Sequence, residues 1–331
     1  RPGGRALQEG HRGVLELLAD GSAAEAQQLN VAYDKVTPSS VTADEVAVGM
    51  EAVDRCMVTL GVVPDLLCAP GYSTDAGVAA VMAVKAEGAE GMFHAKAVLD
   101  LDCTDTATGS AAIAKKEELG LTDKNQIVGW PMVQKGGKLY HFSTHLCALM
   151  AQVDAGNGCP YESPSNRALQ CDGMALADGS EVLLTVSEAN ELNAAGIVTA
   201  LHGFDGWTAW GNGTACYPQD TAPEHAFIPV ARMFDWVGNT LVRTFWSHLD
   251  RPILRRRLDS IVDGATIWLN GLVGAGYLYG GRVELPEADN PKEALLAGVV
   301  KPRIVLTPPS PAQEISCTLT YDASYADALF D

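Results

Sequence analysis

The chain contains histidines and aspartates at spacings that suit a metal or catalytic site. His141 and His145 are one helical turn apart, a spacing at which two imidazoles can bind zinc. Asp100, Asp102 and Asp105 follow an apolar run, where open α/β sheets commonly hold a ligand. However, no glutamate follows His141 as in an H-E-x-x-H motif, and carboxylates after a strand commonly cap the next helix or face solvent. We therefore predict no catalytic residue and no metal site.

Phosphate- and cofactor-binding motifs are also missing from the sequence. It contains no G-x-S-x-G, no G-x-x-x-x-G-K-[ST] and no G-x-G-x-x-G after a strand pattern. The glycine-rich run GLVGAGYLYGG follows a helical pattern, so it is predicted to end a helix and turn the chain. We expect no cofactor. The enzymatic alternative is a cytoplasmic α/β hydrolase-like protein that uses Asp100, Asp102 and His94 or His145.

Four arginines stand close together in an otherwise acidic chain: Arg251, Arg255, Arg256 and Arg257. Arg251 and Arg255 are one helical turn apart, whereas residues 255–257 spread over more than half of a helix circumference. The four side chains therefore cannot all face one partner. Two interpretations remain, a solvated helix face with internal ion pairs or a contact for an acidic protein partner.

The composition is that of a folded protein that binds neither nucleic acid nor a membrane. The 331 residues are 47% hydrophobic and 19% charged, and the formal net charge is −18. Phosphate-rich partners and anionic membranes need a basic surface, and no apolar run is long enough to span a bilayer. The eight cysteines form no C-x-x-C pair, and Cys68 and Cys147 lie in apolar runs. We therefore predict buried thiols in a protein that folds in a reducing cytoplasm.

Alternating strand and helix patterns predict an α/β fold with an open mixed sheet and helices on its faces. Apolar runs predict strands in VLELLADG and LNVAYDKV and at 64–71, 94–102 and 126–133. Thr42 and Glu45 form a capping box before a helical pattern that extends to Leu60. Further helices are predicted from Thr74, at 110–119, at 144–153, and between two short strands at 182–200.

Two long amphipathic helices predict a second, α+β part of the chain. Apolar residues recur at spacings of four and three from Pro229 to Leu249 and from Pro252 to Leu272. Closing strands are predicted at 282–285 and 301–306. We therefore divide the chain into an N-terminal remainder (1–40), a central α/β domain (41–227), a C-terminal α+β subdomain (228–306), and a proline spacer with a terminal arm (307–331).

The C-terminal segment combines a stiff spacer with a strand pattern. Pro308, Pro309 and Pro311 cannot continue a β-ladder, and they favour an extended chain. Beyond them apolar and polar residues alternate, which predicts a strand with one buried face. The strand residues are Ile315, Ser316, Cys317, Thr318, Leu319, Thr320 and Tyr321. Such a strand either folds back on its own domain or pairs with a sheet edge of another molecule.

Several blocks along the chain match one known family in their order and spacing. They are VAYDKVTPSSVTADEVAVGMEAVD (31–54), PDLLCAPGYSTDAGVAAVMAVKAE (64–87), KNQIVGWPMV (124–133), SPSNR (163–167), HGFDGWTAWGNGTACYP (202–218), the arginine-rich joint and the Asp289-Asn290-Pro291 turn. With these blocks the chain resembles the contractile tail sheath proteins of myophages and phage-tail-like particles. Two departures stand out. Little precedes residue 31, so the family's N-terminal arm is expected to be missing, and Asn212-Gly213 stands where the family has Asn-Arg.

The resemblance implies assembly rather than catalysis. Sheath subunits form stacked hexameric rings around a tail tube, stay linked by exchanged terminal arms, and contract to drive the tube through a cell envelope. The implied partners are further copies of the chain, the tube protein, and the baseplate and tail terminator proteins. The C-terminal subdomain, with Arg251, Arg255, Arg256 and Arg257, would face the tube.

The resemblance also places the protein in the tail of a virion or of a phage-tail-like particle, assembled in the bacterial host cytoplasm. The physical state separates the two functional classes. A sheath subunit forms rings or long tubes, whereas a hydrolase forms small discrete oligomers.

Overall fold

The computed structural model describes Thr37 and residues 40–325 of the chain. The chain divides into two compact units, Arg1–Thr42 and Ala43–Asp331, and every helix and strand given below lies in the second unit. The strands predicted in VLELLADG and LNVAYDKV lie outside the described residues. Residues 326–331, at the end of the predicted arm, also lie outside them.

Short strands alternate with helices along the second unit. The strands are β1 (Leu66–Cys68), β2 (Lys96–Asp100), β3 (Gln126–Gly129), β4 (Met132–Lys135), β5 (Lys138–Tyr140), β6 (Gly173–Ala175), β7 (Ile197–Gly203), β8 (Gly206–Trp210), β9 (Gly280–Glu284) and β10 (Arg303–Thr307). The helices are α1 (Ala43–Gly49), α2 (Cys56–Leu60), α3 (Ala76–Glu87), α4 (Gly109–Glu118), α5 (Phe142–Asn157), α6 (Val186–Ala194), α7 (Pro223–Ala226), α8 (Ile228–Phe245), α9 (Arg255–Gly274) and α10 (Lys292–Leu296), with 3₁₀ turns at Met50–Arg55 and Trp246–His248.

The main sheet has the strand order β1-β2-β3-β7-β8. The first four strands run parallel, and β8 is an antiparallel edge strand paired with β7. All five residues of β2 are buried, because helices cover both faces of the sheet. Val98 faces a core formed with α5, while its neighbour Leu99 faces a core formed with α3 and α4. The predicted mixed sheet with helices on its faces is confirmed.

The prediction of one strand at 126–133 is wrong. β3 ends at Gly129, and β4 begins at Met132 in a separate antiparallel sheet with β5 and β6. Pro131 lies between them and lacks the N–H that a ladder needs. Trp130 is buried at this point, and its Nε1 donates to the Thr106 carbonyl oxygen at 3.2 Å. The chain therefore leaves the parallel sheet at Trp130.

Three element boundaries also differ from the predictions. The first predicted helix is interrupted by the 3₁₀ turn that separates α1 from α2. The strand predicted before α6 is not formed at residues 182–185; the preceding Glu181 makes an isolated bridge with Ala175, and a capping box of Thr185 and Glu188 starts the helix. α9 begins at Arg255 rather than at Pro252, because Leu254 is extended with φ −121° and ψ 141°.

α8, α9 and the two-stranded sheet β9–β10 enclose a third core. Val237 and Leu241 of the predicted apolar stripe lie in it, whereas Leu249 lies beyond the end of α8 and is exposed. The domain boundaries at residues 227 and 306 stay a prediction. Within the described residues, no helix combines the length and the apolar character needed to cross a bilayer.

Buried polar contacts tie α8 to the elements around the main sheet. The Arg232 guanidinium binds the Asp154 carboxylate of α5 through two nitrogens, with Nη1 3.1 Å from Oδ1. The Asn239 side chain accepts a hydrogen bond from the His94 N–H at 2.9 Å and donates to the His94 carbonyl at 2.8 Å. Separating α8 from the sheet would break both contacts.

Candidate functional site

Asp100 ends β2 and is buried against the first turn of α5. Its carboxylate accepts hydrogen bonds from the Ser143 N–H at 2.7 Å and the Ser143 hydroxyl at 2.5 Å. Burial raises the pKa of Asp100, and the hydrogen bonds from Ser143 oppose this rise. Asp100 therefore satisfies an N–H that the first turn of a helix leaves unpaired. The prediction that it caps the next helix or faces solvent is wrong for Asp100, because it is buried and caps α5 rather than α4.

The other two aspartates of the cluster do not converge with Asp100 on a ligand. Asp102 accepts a hydrogen bond from the Thr104 N–H at 2.9 Å, and the Thr104 hydroxyl bond is the main cause of its lowered pKa. Asp105 is exposed. Asp102 closes a turn, and Asp105 faces solvent.

The histidines do not complete a catalytic arrangement with these acids. His141 Nδ1 lies 3.9 Å from Asp100 Oδ2, while the His145 ring packs edge-on against Tyr140 with centroids 5.7 Å apart. The Ser143 hydroxyl donates to the Asp100 carboxylate, whereas a serine nucleophile needs a histidine as its acceptor. Among the described residues, no three histidine, cysteine, aspartate or glutamate side chains are grouped as metal ligands.

Three of the four predicted arginines line one open depression of about 410 Å³ between the 3₁₀ turn that follows α8 and the start of α9. We call Arg251, Arg256 and Arg257, together with His248, the arginine surface. The Arg255 guanidinium instead hydrogen bonds to Asp259 one turn along α9, with Nε 2.9 Å from Oδ1. The other three arginines form no salt bridge with any residue that the structure describes. Within the described part of the chain, the arginine surface therefore carries positive charge that no salt bridge offsets, although the formal net charge of the chain is −18.

The proline spacer lies against the body of the protein instead of extending away from it. Pro308 is buried and Pro309 is half-buried directly after β10. Residues 311–314 then run along a groove of about 570 Å³ lined in part by Asn190, Asn193, Asn212 and Trp210. We call this the asparagine groove. Pro311 is half-buried there, whereas Ala312, Gln313 and Glu314 line the groove but are themselves exposed.

Beyond the asparagine groove every residue up to Tyr325 is exposed. The exposed fractions of Ile315, Leu319 and Tyr321 are 84%, 97% and 90%, which is unusual for large apolar side chains. Ser316, Cys317, Thr318 and Thr320 are exposed as well. This segment pairs with no strand of the described chain, so the structure shows no folding back onto its own domain.

The two-stranded sheet offers an edge at which a further strand could pair. β9 pairs with β10 on one side and contacts α9 on the other, where the Val283 N–H lies 3.4 Å from the Thr266 hydroxyl. The outer edge of β10 has no strand partner among the described residues. Two-stranded sheets are marginal alone, and a third strand stabilises them.

Asn290 organises the turn before β10, a role that its place in the sequence did not predict. Its amide group donates to the carbonyls of Pro286 and Lys301, each at 2.9 Å, and accepts from the Lys301 N–H at 2.7 Å. The Asp289-Asn290-Pro291 turn thereby fixes the start of the segment that leads into β10. The motif in the sequence marked the turn, but the partner at Lys301 is visible only in the folded chain.

Solved structures of the PVC sheath complex and of the anti-feeding prophage share this fold. The chain superposes with a TM-score of 0.66 at 20% identity on the PVC sheath complex in its contracted state, covering 86% of this chain and 82% of that one. A chain of the anti-feeding prophage baseplate gives 0.65 at 18% identity, covering 88% and 83%. The anti-feeding prophage helical sheath in its contracted state gives 0.64 at 19% identity, covering 82% and 74%. The fold is that of contractile-sheath subunits.

The curated relatives that match this chain are named tail sheath proteins. The tail sheath protein of Burkholderia phage BcepMu is 24% identical over 314 residues, covering 88% of this chain and 64% of that protein. The major tail sheath protein of Serratia phage KSP20 is 31% identical over 144 residues, covering 44% and 35%. A putative prophage major tail sheath protein of Pseudomonas aeruginosa is 26% identical over 260 residues, covering 76% and 63%.

The resemblance predicted from the sequence is confirmed by these relatives. The chain spans less than two thirds of the length of each of the three. No family model matches the chain.

Proposed function

We propose that this chain is a structural subunit of a contractile tail sheath. It polymerises as stacked hexameric rings around a tail tube, and the sheath contracts to drive the tube through a cell envelope. The observation that carries the proposal is the exposed terminal arm. Its large apolar side chains extend from a folded body that shares the fold of a sheath-complex chain. The particle is a phage tail or a phage-tail-like particle assembled in the bacterial host cytoplasm.

The arm, residues 315–321, links subunits by pairing with a sheet edge of a neighbour. Its main chain supplies hydrogen bonds worth about 0.5–1.5 kcal/mol each, and its alternating apolar side chains fix the register. The open edge of β10 suits this role because a third strand would complete a marginal sheet. Hydrogen bonds between the backbones of the arm and the receiving strand can persist while the two subunits rotate relative to each other, provided that the chain just before residue 315 changes conformation to accommodate the rotation.

Contraction in this proposal releases energy stored in contacts between subunits. The extended lattice is metastable, and the contracted lattice buries more surface. Such a cycle needs no nucleotide, cofactor or metal, and we assign no catalytic residue, since Asp100 caps a helix and Asp102 closes a turn. Baseplate and tail terminator proteins are the further partners, and neither nucleic acid nor a membrane is among them.

Electron microscopy of the purified chain at high concentration tests the proposal. We expect stacked rings or long tubes, alone or on added tail tubes. A neighbouring structure of this fold comes from a helical sheath, which makes helical polymers the expected product. Small discrete particles under all conditions, with and without tubes, would contradict the sheath function.

The arginine surface is the proposed contact with the tail tube. Arg251→Glu combined with Arg256→Glu should weaken binding to tubes about ten-fold or more at 0.1 M salt, because attraction to an acidic partner becomes repulsion. Co-sedimentation of the chain with purified tubes measures this. Arg255 is left unchanged in this variant because Asp259 already neutralises it.

A charge-matched variant separates this contact from a loss of net charge. Arg55→Glu combined with Arg255→Glu removes the same charge from positions outside the arginine surface. We expect tube binding close to that of the unmodified chain. Equal weakening by both variants, or normal binding of the Arg251/Arg256 variant, would show that the arginine surface does not face the tube.

A further inference from the structure

The connection between α8 and α9 exposes large apolar side chains. The exposed fractions of Trp246, Leu249, Ile253 and Leu254 are 48%, 59%, 38% and 43%. None of the four belongs to the three hydrophobic cores of the described chain or to the partly buried residues packed against them. Asp250 lies among them with φ 57°, a left-handed conformation that turns the chain from one helix towards the other. We call the four apolar side chains the apolar corner.

The apolar corner and the arginine surface alternate along the same stretch of chain. His248 lies between Trp246 and Leu249, and Arg251 lies between Leu249 and Ile253. His248 and Arg251 line the depression described above. Single exposed apolar residues are common on protein surfaces, whereas a group of them bordered by charged residues is typical of a contact with another protein. The stretch 246–257 therefore combines apolar and positively charged contacts.

The start of α9 adds a second feature that attracts anions. Arg255, Arg256 and Arg257 occupy its first turn, which contains no acidic residue, and Leu254 provides no side-chain cap. The N-terminus of a helix carries a partial positive charge, so basic residues in the first turn are unfavourable there. The N–H groups of Arg255 and Arg256 bond to no acceptor in the described chain. Carboxylates from a partner would satisfy these groups and offset the charge.

We propose that the apolar corner and the arginine surface form one docking surface for an acidic protein that has an apolar patch bordered by carboxylates. Trp246 is the main apolar anchor, because tryptophan buries the largest area and is enriched at the centres of protein contacts. The formal net charge of −18 disfavours an anionic membrane as the partner. The inference rests on the proposed sheath function, in which the partner is the tail tube, and it adds that this contact is only partly electrostatic.

The two kinds of contact respond differently to salt. Salt screens the attraction between the arginines and partner carboxylates, so the effect of an arginine substitution should shrink as the salt concentration rises. Burial of apolar surface is not screened, so the effect of a substitution in the apolar corner should stay the same. Comparing affinities at two salt concentrations therefore separates the two contributions.

Co-sedimentation of the full-length chain with purified tail tubes at about 0.1 M and about 0.3 M salt tests the proposal. Trp246→Ala should weaken binding about ten-fold at both concentrations. Leu249→Ser combined with Ile253→Ser should also weaken it about ten-fold at both. The effect of Arg251→Glu combined with Arg256→Glu should be smaller at the higher concentration. The melting temperatures of the two apolar variants should stay close to that of the unmodified chain, because the replaced side chains belong to no core.

Phe204→Ala is the matched control. Phe204 is a fully exposed aromatic residue in the turn between β7 and β8, outside the stretch 246–257, so its removal should leave tube binding unchanged. Equal weakening by this control would overturn the proposal. Normal binding of both apolar variants, or losses in them that shrink at higher salt, would overturn it as well.

Two further measurements identify a different occupant. Loss of rings and tubes by Trp246→Ala in the absence of tail tubes would assign the apolar corner to a contact between copies of the chain. Binding of the unmodified chain to phosphatidylserine vesicles that Trp246→Ala abolishes would assign it to a lipid surface. Either result would overturn the proposal, and so would a chain that forms rings or tubes but does not bind tail tubes. A chain that forms neither rings nor tubes would instead contradict the sheath function itself.

Discussion

A chain that ends at Glu314 is expected to fold normally and to form no tubes. Residues 315–325, the described part beyond the asparagine groove, pair with no strand of the body, and the large apolar side chains of Ile315, Leu319 and Tyr321 are almost fully exposed. Removing them therefore costs the monomer little stability. The same deletion removes the strand that is proposed to pair with a neighbour, with every main-chain hydrogen bond of that pairing. Electron microscopy and thermal unfolding of the truncated chain measure the two effects separately.

Substitutions within the arm test whether one face of the strand carries the pairing. Replacing Ile315, Leu319 and Tyr321 together by serine keeps the length of the arm but removes its apolar face, so tubes should be lost. Replacing Ser316, Thr318 and Thr320 together by alanine alters the opposite face, and tubes should persist. Normal tubes from the truncated chain, or equal loss in both triple variants, would show that the arm does not link subunits through this face.

Arg232→Leu is expected to destabilise the fold by about 3–5 kcal/mol at pH 7, because it leaves buried carboxylates without their cation. The Arg232 side chain is 5% exposed and binds Asp154 through two nitrogens. Asp65 and Asp235 lie in the same cavity of about 300 Å³. Lys96, 2.8 Å from Asp235, would remain as the nearest lysine. Denaturant unfolding of the variant and the unmodified chain measures the difference.

The stability deficit of Arg232→Leu should shrink as the pH falls from 7 towards 5. Burial raises the pKa values of Asp65 and Asp235 above their unfolded values, and Arg232 opposes both shifts. The folded state therefore binds these protons more tightly than the unfolded state, and its stability falls as pH rises through the window between the two values. Removing Arg232 should raise the folded-state pKa values of Asp65 and Asp235 further, so that the pH window over which stability is lost extends to higher pH.

Arg255→Leu is the matched control for this prediction. It removes an arginine from an exposed ion pair with Asp259, and such pairs contribute about 0–1 kcal/mol. We expect almost no change in the free energy of unfolding at either pH. A loss below 1 kcal/mol for Arg232→Leu at pH 7, or a deficit that grows on acidification, would contradict the account of the buried cavity.

Local patterns in the sequence correctly predicted those helices and strands in which the same side-chain burial pattern continues from one end to the other. β2 was predicted because its residues are apolar on both faces, and α8 because its apolar residues recur at helical spacing. The predictions failed where one residue changes the path of the chain. Pro131 divides an apolar run that otherwise looks continuous, and Leu254 delays the start of α9.

Contacts between distant residues could not be predicted from local patterns. Asn239 clamps the backbone of His94, which is 145 residues away in sequence, and no spacing rule connects the two. The arginine group was visible in the sequence, but only the structure shows that Asp259 removes Arg255 from it. Cys68 was assigned to the interior because its neighbours are apolar, and its place at the end of an edge strand exposes it.

In the proposed sheath, the position of residues 311–314 in the asparagine groove would limit how far the arm can reach from the body of its own subunit. Ile315, the first residue of the arm, directly follows Glu314. While residues 311–314 occupy the asparagine groove, almost no flexible chain therefore separates the groove from the arm. A receiving edge must then lie close to the mouth of that groove. Release of the four docked residues would add about 14 Å of reach, at 3.3–3.6 Å for each extended residue. In a lattice linked by such arms, neighbouring subunits could rotate about the asparagine groove. The distance between them at the groove could increase by little more than about 14 Å.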